Sequence, residues 1–300
     1  TSRSVTKFFL YSSSSNPLRL DPYIIHCILI IRHKKEERNM LLVQLSDLHI
    51  GGTYFKQEIF DTIVNEVKNK LKPDVILITG DLTDEGLISQ FRRASVEIKK
   101  LTDVCPKVII LPGNHDYRHT GYLLFKKFFP SHYSFPSSIY RFDSTMLITL
   151  ATARPDRDEG EVGHQQNLWL EEKLKSEQCK KMTTRIIAMH HHLVGVPDTG
   201  TDKIVIVDAG DILRTCLHHD VNLVLCGHKH RPWLWNFETI DIVYAGTASS
   251  TRFRGFTKNT YNILDIRNNG KVNVDLKIVG GERIPLVDIT KEANRKKLEL

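Results

Sequence analysis

Cysteine is scarce in this chain. Five occur in 300 residues, at positions 27, 105, 179, 216 and 226, an odd number without a CxxC pair. That argues against a disulfide framework and for reduced thiols in a cytoplasmic setting. Long apolar runs are also missing. The most apolar early stretch, 23–31, contains His26 and falls well short of the ~18 to 20 residues that span a bilayer, so no membrane anchor is expected. A secretory leader would need a basic start, an apolar stretch and a small-residue cleavage site. Here four serines, 12–15, precede the apolar run and a charged cluster follows it. No internal repeat or coiled-coil pattern is present. A strong excess of one charge is lacking where it would matter. The formal net charge is +7, but residues 1–39 hold seven Lys/Arg against three acids, so +4 lies there and +3 in the rest. A nucleic-acid partner is therefore not expected.

What remains is an ordinary globular composition, 41% hydrophobic and 26% charged, long enough for a sizeable core. Met40 is followed at once by a buried-strand pattern, Leu41-Leu42-Val43-Gln44-Leu45. We therefore read Met40 as the natural start and 1–39 as a disordered or non-native extension. Residues 40–280 form the folded domain, and 281–300 a charged C-terminal tail, solvated and partly helical.

From Met40 onward strands and helices alternate. Strand 42–46 leads to an amphipathic helix over 56–71, with Ile59, Phe60, Ile63, Val64 and Val67 at helical spacing. Strand 74–79, helix 87–101, strand 107–111 and a short aromatic helix at 122–129 follow, a βαβαβ rhythm that implies a largely parallel sheet. Strands 140–142 and 146–150 read as a hairpin turning at Asp143-Ser144. Then come helix 164–178, strand 185–189, helix 208–219 and strand 223–226. The end is β-rich, with strands at 233–237, 241–244, 261–266 and 271–278, and is expected to supply a second sheet packed on the first.

The informative feature is where the metal-type residues fall. Strand 42–46 ends in Ser46-Asp47-Leu48-His49, strand 74–79 in Gly80-Asp81, and strand 107–111, after Pro112, in Gly113-Asn114-His115-Asp116. Strand 185–189 ends in His190-His191-His192, and strand 223–226 in Gly227-His228-Lys229-His230. In open α/β sheets, active sites assemble at the C-terminal ends of strands, so these five segments can share one crevice. Asp47, His49, Asp81, Asn114, His190, His228 and His230 offer carboxylate, imidazole and amide ligands without thiolate, a set suited to Mn, Fe, Zn or Co. Seven ligands exceed one tetrahedral site, and two divalent ions sharing a carboxylate make the count sensible. Such a pair activates water towards a phosphate ester, so metal-bound hydroxide is the expected nucleophile.

At these residues the chain resembles the calcineurin-like metallophosphoesterase superfamily, whose five blocks stand here in order: Asp47-Leu48-His49, Gly80-Asp81-Leu82-Thr83-Asp84, Gly113-Asn114-His115-Asp116, His190, and Gly227-His228-Lys229-His230. The resemblance covers about 41–265. Its class III cyclic-nucleotide phosphodiesterase branch is the most similar in size and in its His-His run. The resemblance implies a four-layer α/β/β/α sandwich of two mixed β-sheets flanked by helices. It also implies one metal on Asp47, His49, Asp81 and His230, and another on Asp81, Asn114, His190 and His228. His115 would bind the phosphate or protonate the leaving oxygen, oriented by Asp116 or a neighbour. Within the His run, alternation puts His190 and His192 on one side and His191 on the other, and His190 is favoured by its place in the pattern.

Asp84 reads equally as a helix cap or as support for the site, and His218-His219 as structural. Arg118, Arg252 and Arg254 flank motif loops and are able to bind substrate phosphate, with solvated surface as the default. Segments 117–136 and 154–163 are the candidate specificity loops. The expected function is hydrolysis of a small phosphodiester, such as a 3',5'-cyclic nucleotide. Within the superfamily, nuclease, phosphomonoesterase and pyrophosphohydrolase activities are the alternatives, and a non-catalytic scaffold is a further one. A homodimer is left open.

Overall fold

The computed structural model describes residues 39–130, 137–200 and 203–298, with side chains as far as Arg295. The expectation for the N-terminal extension lies outside the described residues, apart from Asn39. Strand β1 (Met40–Leu45) pairs in parallel with β2 (Val75–Thr79), and β2 with β3 (Val108–Leu111). On its other side β1 runs antiparallel to β10 (Thr260–Ile266), which continues through β11 (Val272–Ile278) to β12 (Arg283–Pro285). The second sheet has the order β4 (Ser137–Phe142), β5 (Thr145–Leu150), β6 (Thr184–Ala188), β7 (Leu223–Cys226), β9 (Ile240–Tyr244) and β8 (Trp233–Phe237). Its four central strands are parallel, and β4 and β8 are antiparallel edges.

Strand periodicity explains the layering. In the first sheet Leu42, Leu77, Ile109 and Leu111 point inward, against Leu147, Ile186, Leu225 and Val243 of the second. The alternate residues Val43, Leu45, Ile76, Ile78 and Ile110 point outward. They are covered by α1 (Gln57–Glu66) through Phe60 and Ile63, and by α2 (Ile88–Thr102) through Phe91, Ala94 and Ile98. The short α3 (Gly121–Phe128) adds Phe125 to the same cluster. On the far side Met146, Ile148, Ile187, Val224 and Ile242 lie under α4 (His164–Lys175) and α6 (Ala209–His218), with the four-residue α5 (Glu177–Lys180) between those helices in sequence. The result is the expected four-layer α/β/β/α sandwich of two mixed sheets.

Three local expectations change. The β-rich end does not form a sheet of its own: β8 and β9 complete the second sheet while β10 to β12 extend the first, because β10 has the free edge of β1 to pair with. The 56–71 helix closes in a π-turn over Val67–Leu71, with Lys72 left-handed at φ 48°. The charged C-terminus is a docked helix rather than a solvated one. In α7 (Leu286–Leu298), Leu286, Ile289 and Ala293 form an apolar stripe facing the fold, and Thr290 Oγ1 accepts the Leu234 N–H at 3.1 Å. Asp288, Lys291, Glu292 and Arg295, by contrast, are exposed.

Where α1 ends, Glu66 is buried and accepts from Lys277 Nζ at 2.7 Å and from the Tyr261 hydroxyl at 2.9 Å, pinning the helix to β10 and β11. Removing one member leaves the other charge buried and unpaired. Glu66→Ala is expected to lower unfolding stability by about 3 kcal/mol, and a Glu66→Leu/Lys277→Met pair by much less. Urea denaturation of both variants checks this, and equal losses would contradict it.

Candidate metal centre

The two sheets meet at the C-terminal ends of β1, β2, β3, β6 and β7, where all five sequence blocks arrive. Backbone bonds stitch the seam. His228 N–H donates to Asp47 Oδ2 at 3.1 Å and Gly227 N–H to the His190 carbonyl at 2.9 Å. The approach is close enough that a Cβ on Gly113 would overlap the Asp81 carboxylate, and one on Gly80 the His190 ring. The backbone itself is held off its minimum. Asp47, His49, Asp81, His228 and His230 all have positive φ, from 51° to 80°. Each non-glycine residue in that region costs on the order of 1–2 kcal/mol, which persists only where the surroundings enforce it.

The side chains fall into two groups that share Asp81. In the first, His230 Nε2 lies 3.0 Å from His49 Nε2 and 3.4 Å from Asp47 Oδ1, and His49 Nε2 lies 3.9 Å from Asp81 Oδ2. In the second, Asn114 Oδ1 is 3.1 Å from both His190 Nε2 and His228 Nδ1, and His190 Nε2 is 3.5 Å from Asp81 Oδ1. All seven sequence-predicted residues are buried here.

Hydrogen bonds on the outer nitrogens settle which inner nitrogens carry lone pairs. A carbonyl can only accept, so a ring nitrogen facing one must bear the proton. His190 Nδ1 donates to the Thr79 carbonyl at 2.7 Å, His228 Nε2 to that of Lys203 at 2.8 Å, and His230 Nδ1 to that of Arg252. His49 Nδ1 faces Asp84 Oδ1 at 3.0 Å. The inner nitrogens of the neutral rings are then bare, and they face one another, carboxylates and an amide oxygen. Such an arrangement is repulsive without positive charge between its members, and it is the donor chemistry that a divalent cation completes. The pKa directions agree for His49 and His228, whereas His230 is shifted towards its charged form beside Asp47. Burial lowers His49, and lowers His228 far more, favouring neutral rings. Burial also pulls His230 down, but Asp47 outweighs it and the net shift is upward; Asp47 is held below the usual carboxylate range despite its burial.

His191 clusters with His190 and His228, a group able to hold a metal ion, but both of its ring nitrogens already have partners. Its Nε2 donates to the Asp158 carbonyl at 3.2 Å and its Nδ1 accepts from the Thr152 hydroxyl at 2.8 Å, leaving no free lone pair. His192 packs against the Tyr244 ring, and burial takes its pKa down to about 3. His115 sits at the mouth, with Nδ1 donating to the Asp84 carbonyl at 2.6 Å and Nε2 turned towards Arg118 at 3.4 Å. Asp84, not Asp116, therefore orients His115. Asp116 accepts from Gly113 N–H, Leu82 N–H, Thr83 N–H and the Thr83 hydroxyl, clamping the two loops; burial and the nearby Asp81 push its pKa up to about 6. Asp84 is no helix cap, since α2 starts after Leu87.

Asp158 was not legible in the sequence. Its Oδ1 accepts from Asn114 Nδ2 at 3.2 Å, which turns Asn114 Oδ1 inward. It lies in a loop without a motif, and a lone loop acid carries no signal. Arg118, Arg252 and Arg254, read by default as solvated surface, instead line a groove of about 770 Å³ over the centre, together with Tyr54, Lys203 and Lys229.

This fold and this centre define the class of protein. The family model described as calcineurin-like phosphoesterase matches residues 40–232, and the chain belongs to that family. It is a metal-dependent phosphoester hydrolase. A probable cyclic nucleotide phosphodiesterase of Coxiella burnetii is 28% identical over 209 residues, covering 66% of this chain and 79% of the relative. A probable glycerophosphodiester phosphodiesterase of Arcobacter nitrofigilis is 29% identical over 211 residues, covering 66% and 75%. Among solved structures, the purple acid phosphatase PPD1 of yellow lupin shares the fold, with a TM-score of 0.65 at 13% identity. The match covers 83% of this chain and 53% of that one, about half its length.

The buried histidines make a pH prediction for protein stripped of metal. Burial lowers His49, His191, His192 and His228, so below pH ~6.5 the unfolded chain takes up protons that the folded one does not. Stability is then lost as pH falls below that value. His230 and Asp116, both raised, act oppositely, His230 only above pH ~6.5 and Asp116 as pH falls through about 6. Urea midpoints in EDTA should drop between pH 7.5 and 5.5 with uptake on the order of three protons; an unchanged midpoint would contradict neutral burial.

Proposed function

We propose that the chain hydrolyses a small phosphodiester, with two divalent cations held by the seven inner residues. One ion would be held by Asp47, His49, Asp81 and His230, the other by Asp81, Asn114, His190 and His228, with Asp81 common to both sets. The carrying observation is the set of ring nitrogens turned inward on strained backbone, with the outer nitrogens of His190, His228 and His230 committed to carbonyls and that of His49 facing the Asp84 carboxylate. When bound, Mn, Fe, Zn or Co ions at these positions supply Lewis acidity and lower the pKa of water towards ~7.

The protein's own residues do the rest. Asn114, His228 and His230 form the groove floor under the scissile phosphate, and Arg118 and Arg252 stand beside it. His115 is the proton-transfer residue at the leaving oxygen. Its Nδ1 proton is held by the Asp84 carbonyl, so Nε2 is the atom that gives up or receives the proton. Diester rather than monoester chemistry is supported by the phosphodiesterase names of the relatives, and a cyclic nucleotide by several of them. The complete donor set disfavours a non-catalytic scaffold. The four described cysteines are buried and unpaired, in keeping with a reducing, cytoplasmic setting.

Hydrolysis of bis(p-nitrophenyl) phosphate and of p-nitrophenyl phosphate with added Mn²⁺ tests the reading. The diester should be preferred, and Asp81→Ala should lower kcat/KM by at least about a thousandfold, equivalent to some 4 kcal/mol of transition-state stabilisation. Near-wild-type turnover in that variant would contradict it.

A further inference from the structure

The groove carries more positive charge than one phosphodiester can use. Arg118, Lys203, Lys229, Arg252 and Arg254 line it, against one carboxylate, Asp158. Part of that charge is already matched. Arg118 meets Glu85 at 2.8 Å, Arg252 meets Asp84 at 3.0 Å, and Lys203 has Glu159 at 3.6 Å. Arg254 meets no carboxylate among the described residues, and its Nη1 reaches only the Thr199 carbonyl at 3.5 Å. Lys229, which has a partner of its own, is half-buried on the same groove, between two of the inner histidines in sequence. Like charges gathered in a partly desolvated cleft oppose one another, and an anion relieves them.

The presenting loop is built rather than loose. Thr251 N–H donates to the Tyr54 carbonyl at 3.0 Å, Phe253 N–H to that of Thr251 at 3.0 Å, and Arg252 N–H to Ser250 Oγ at 3.2 Å. The Arg252 carbonyl holds His230 in its tautomer, and the Arg252 guanidinium stacks over Tyr54 at 5.1 Å. Beneath the loop, Gly255 lies on the guanidinium of Arg231, itself buried and paired with Asp198 at 3.4 Å. The same segment thus orients a donor of the centre and carries Arg254 at the groove wall.

We propose that the groove selects diesters bearing a second phosphate, which Arg254 and Lys229 bind with Lys203 beside them. This rests on the phosphoesterase reading above and narrows its substrate class. The scissile group lies over Asn114, His228 and His230, and the distal phosphate makes charge-assisted hydrogen bonds to the guanidinium and ammonium groups.

The test compares two chromogenic diesters that differ only in the distal group, thymidine 5'-(p-nitrophenyl phosphate) and its 3'-phosphorylated analogue, with bis(p-nitrophenyl) phosphate as reference. The Mn²⁺-loaded wild type should show a KM about tenfold or more lower for the phosphorylated substrate, as expected for two charge-assisted contacts. Arg254→Gln should bring the two KM values to near parity, and Arg254→Lys should retain part of the difference. Calorimetry should likewise show thymidine 3',5'-bisphosphate binding more tightly than thymidine 5'-phosphate in the wild type, with the gap closed in Arg254→Gln. Equal KM values for the two nucleotide diesters, with the reference still turned over, would overturn the inference and leave the phosphoesterase reading intact. No turnover of any of the three would overturn both.

Discussion

Bare imidazole nitrogens pointed at each other in a dry interior repel, and a fold that holds them so must gain elsewhere or on binding a cation. His49 and His230 face across 3.0 Å, and His190 and His228 both face the same amide oxygen at 3.1 Å. Every outer nitrogen is anchored to an acceptor, so the rings cannot turn away to relieve the conflict. The left-handed backbones at Asp47, His49, Asp81, His228 and His230 belong to the same constraint, since they aim side chains from the ends of β1, β2 and β7 into one shared volume. The glycines at 80 and 113 let the chain pass where any side chain would collide with a donor.

Two sheets are needed for this, and the sandwich provides them. Asp47, Asp81 and Asn114 come from the first sheet, His190, His228 and His230 from the second, so the centre is also a clasp across the seam. Gln44 shows how the seam is prepared below it. From β1 its amide donates to the Cys226 carbonyl of β7 at 3.0 Å and to Thr79 Oγ1 at 3.2 Å, and it accepts from Asn262 at 3.0 Å, a satisfied polar link in an otherwise apolar interface. The helices outside each sheet keep those strands rigid, and rigidity at the strand ends is what makes a strained donor set tolerable.

Much of this was legible in the sequence because the decisive signals are local. A strand shows as a short apolar run, and the candidate donors show as Asp, His or Asn at its end, beside glycine at 80, 113 and 227. Those signals picked out seven residues that the fold brings together. What was not legible is set by chain segments distant in sequence. Whether β10 would pair with β1 or join a separate sheet depends on which edge lies free, and no residue in 260–266 encodes that alone. The orientation of His115 by the Asp84 carbonyl, and of Asn114 by Asp158, are contacts across 31 and 44 positions; Asp84 ends a recognised block without its partner being encoded there, and Asp158 lies in no motif. The C-terminal helix was misjudged for the opposite reason: its charge was conspicuous, and the three-residue apolar stripe that docks it was not.

Anomalous scattering from crystals of the protein grown with Mn²⁺ would test the central claim most directly. The account predicts two peaks that share Asp81, one among Asp47, His49 and His230, the other among Asn114, His190 and His228, with His191 and His192 left out of both. A fully occupied ion on His191 or His192, or crystals in which neither position takes up metal, would contradict it.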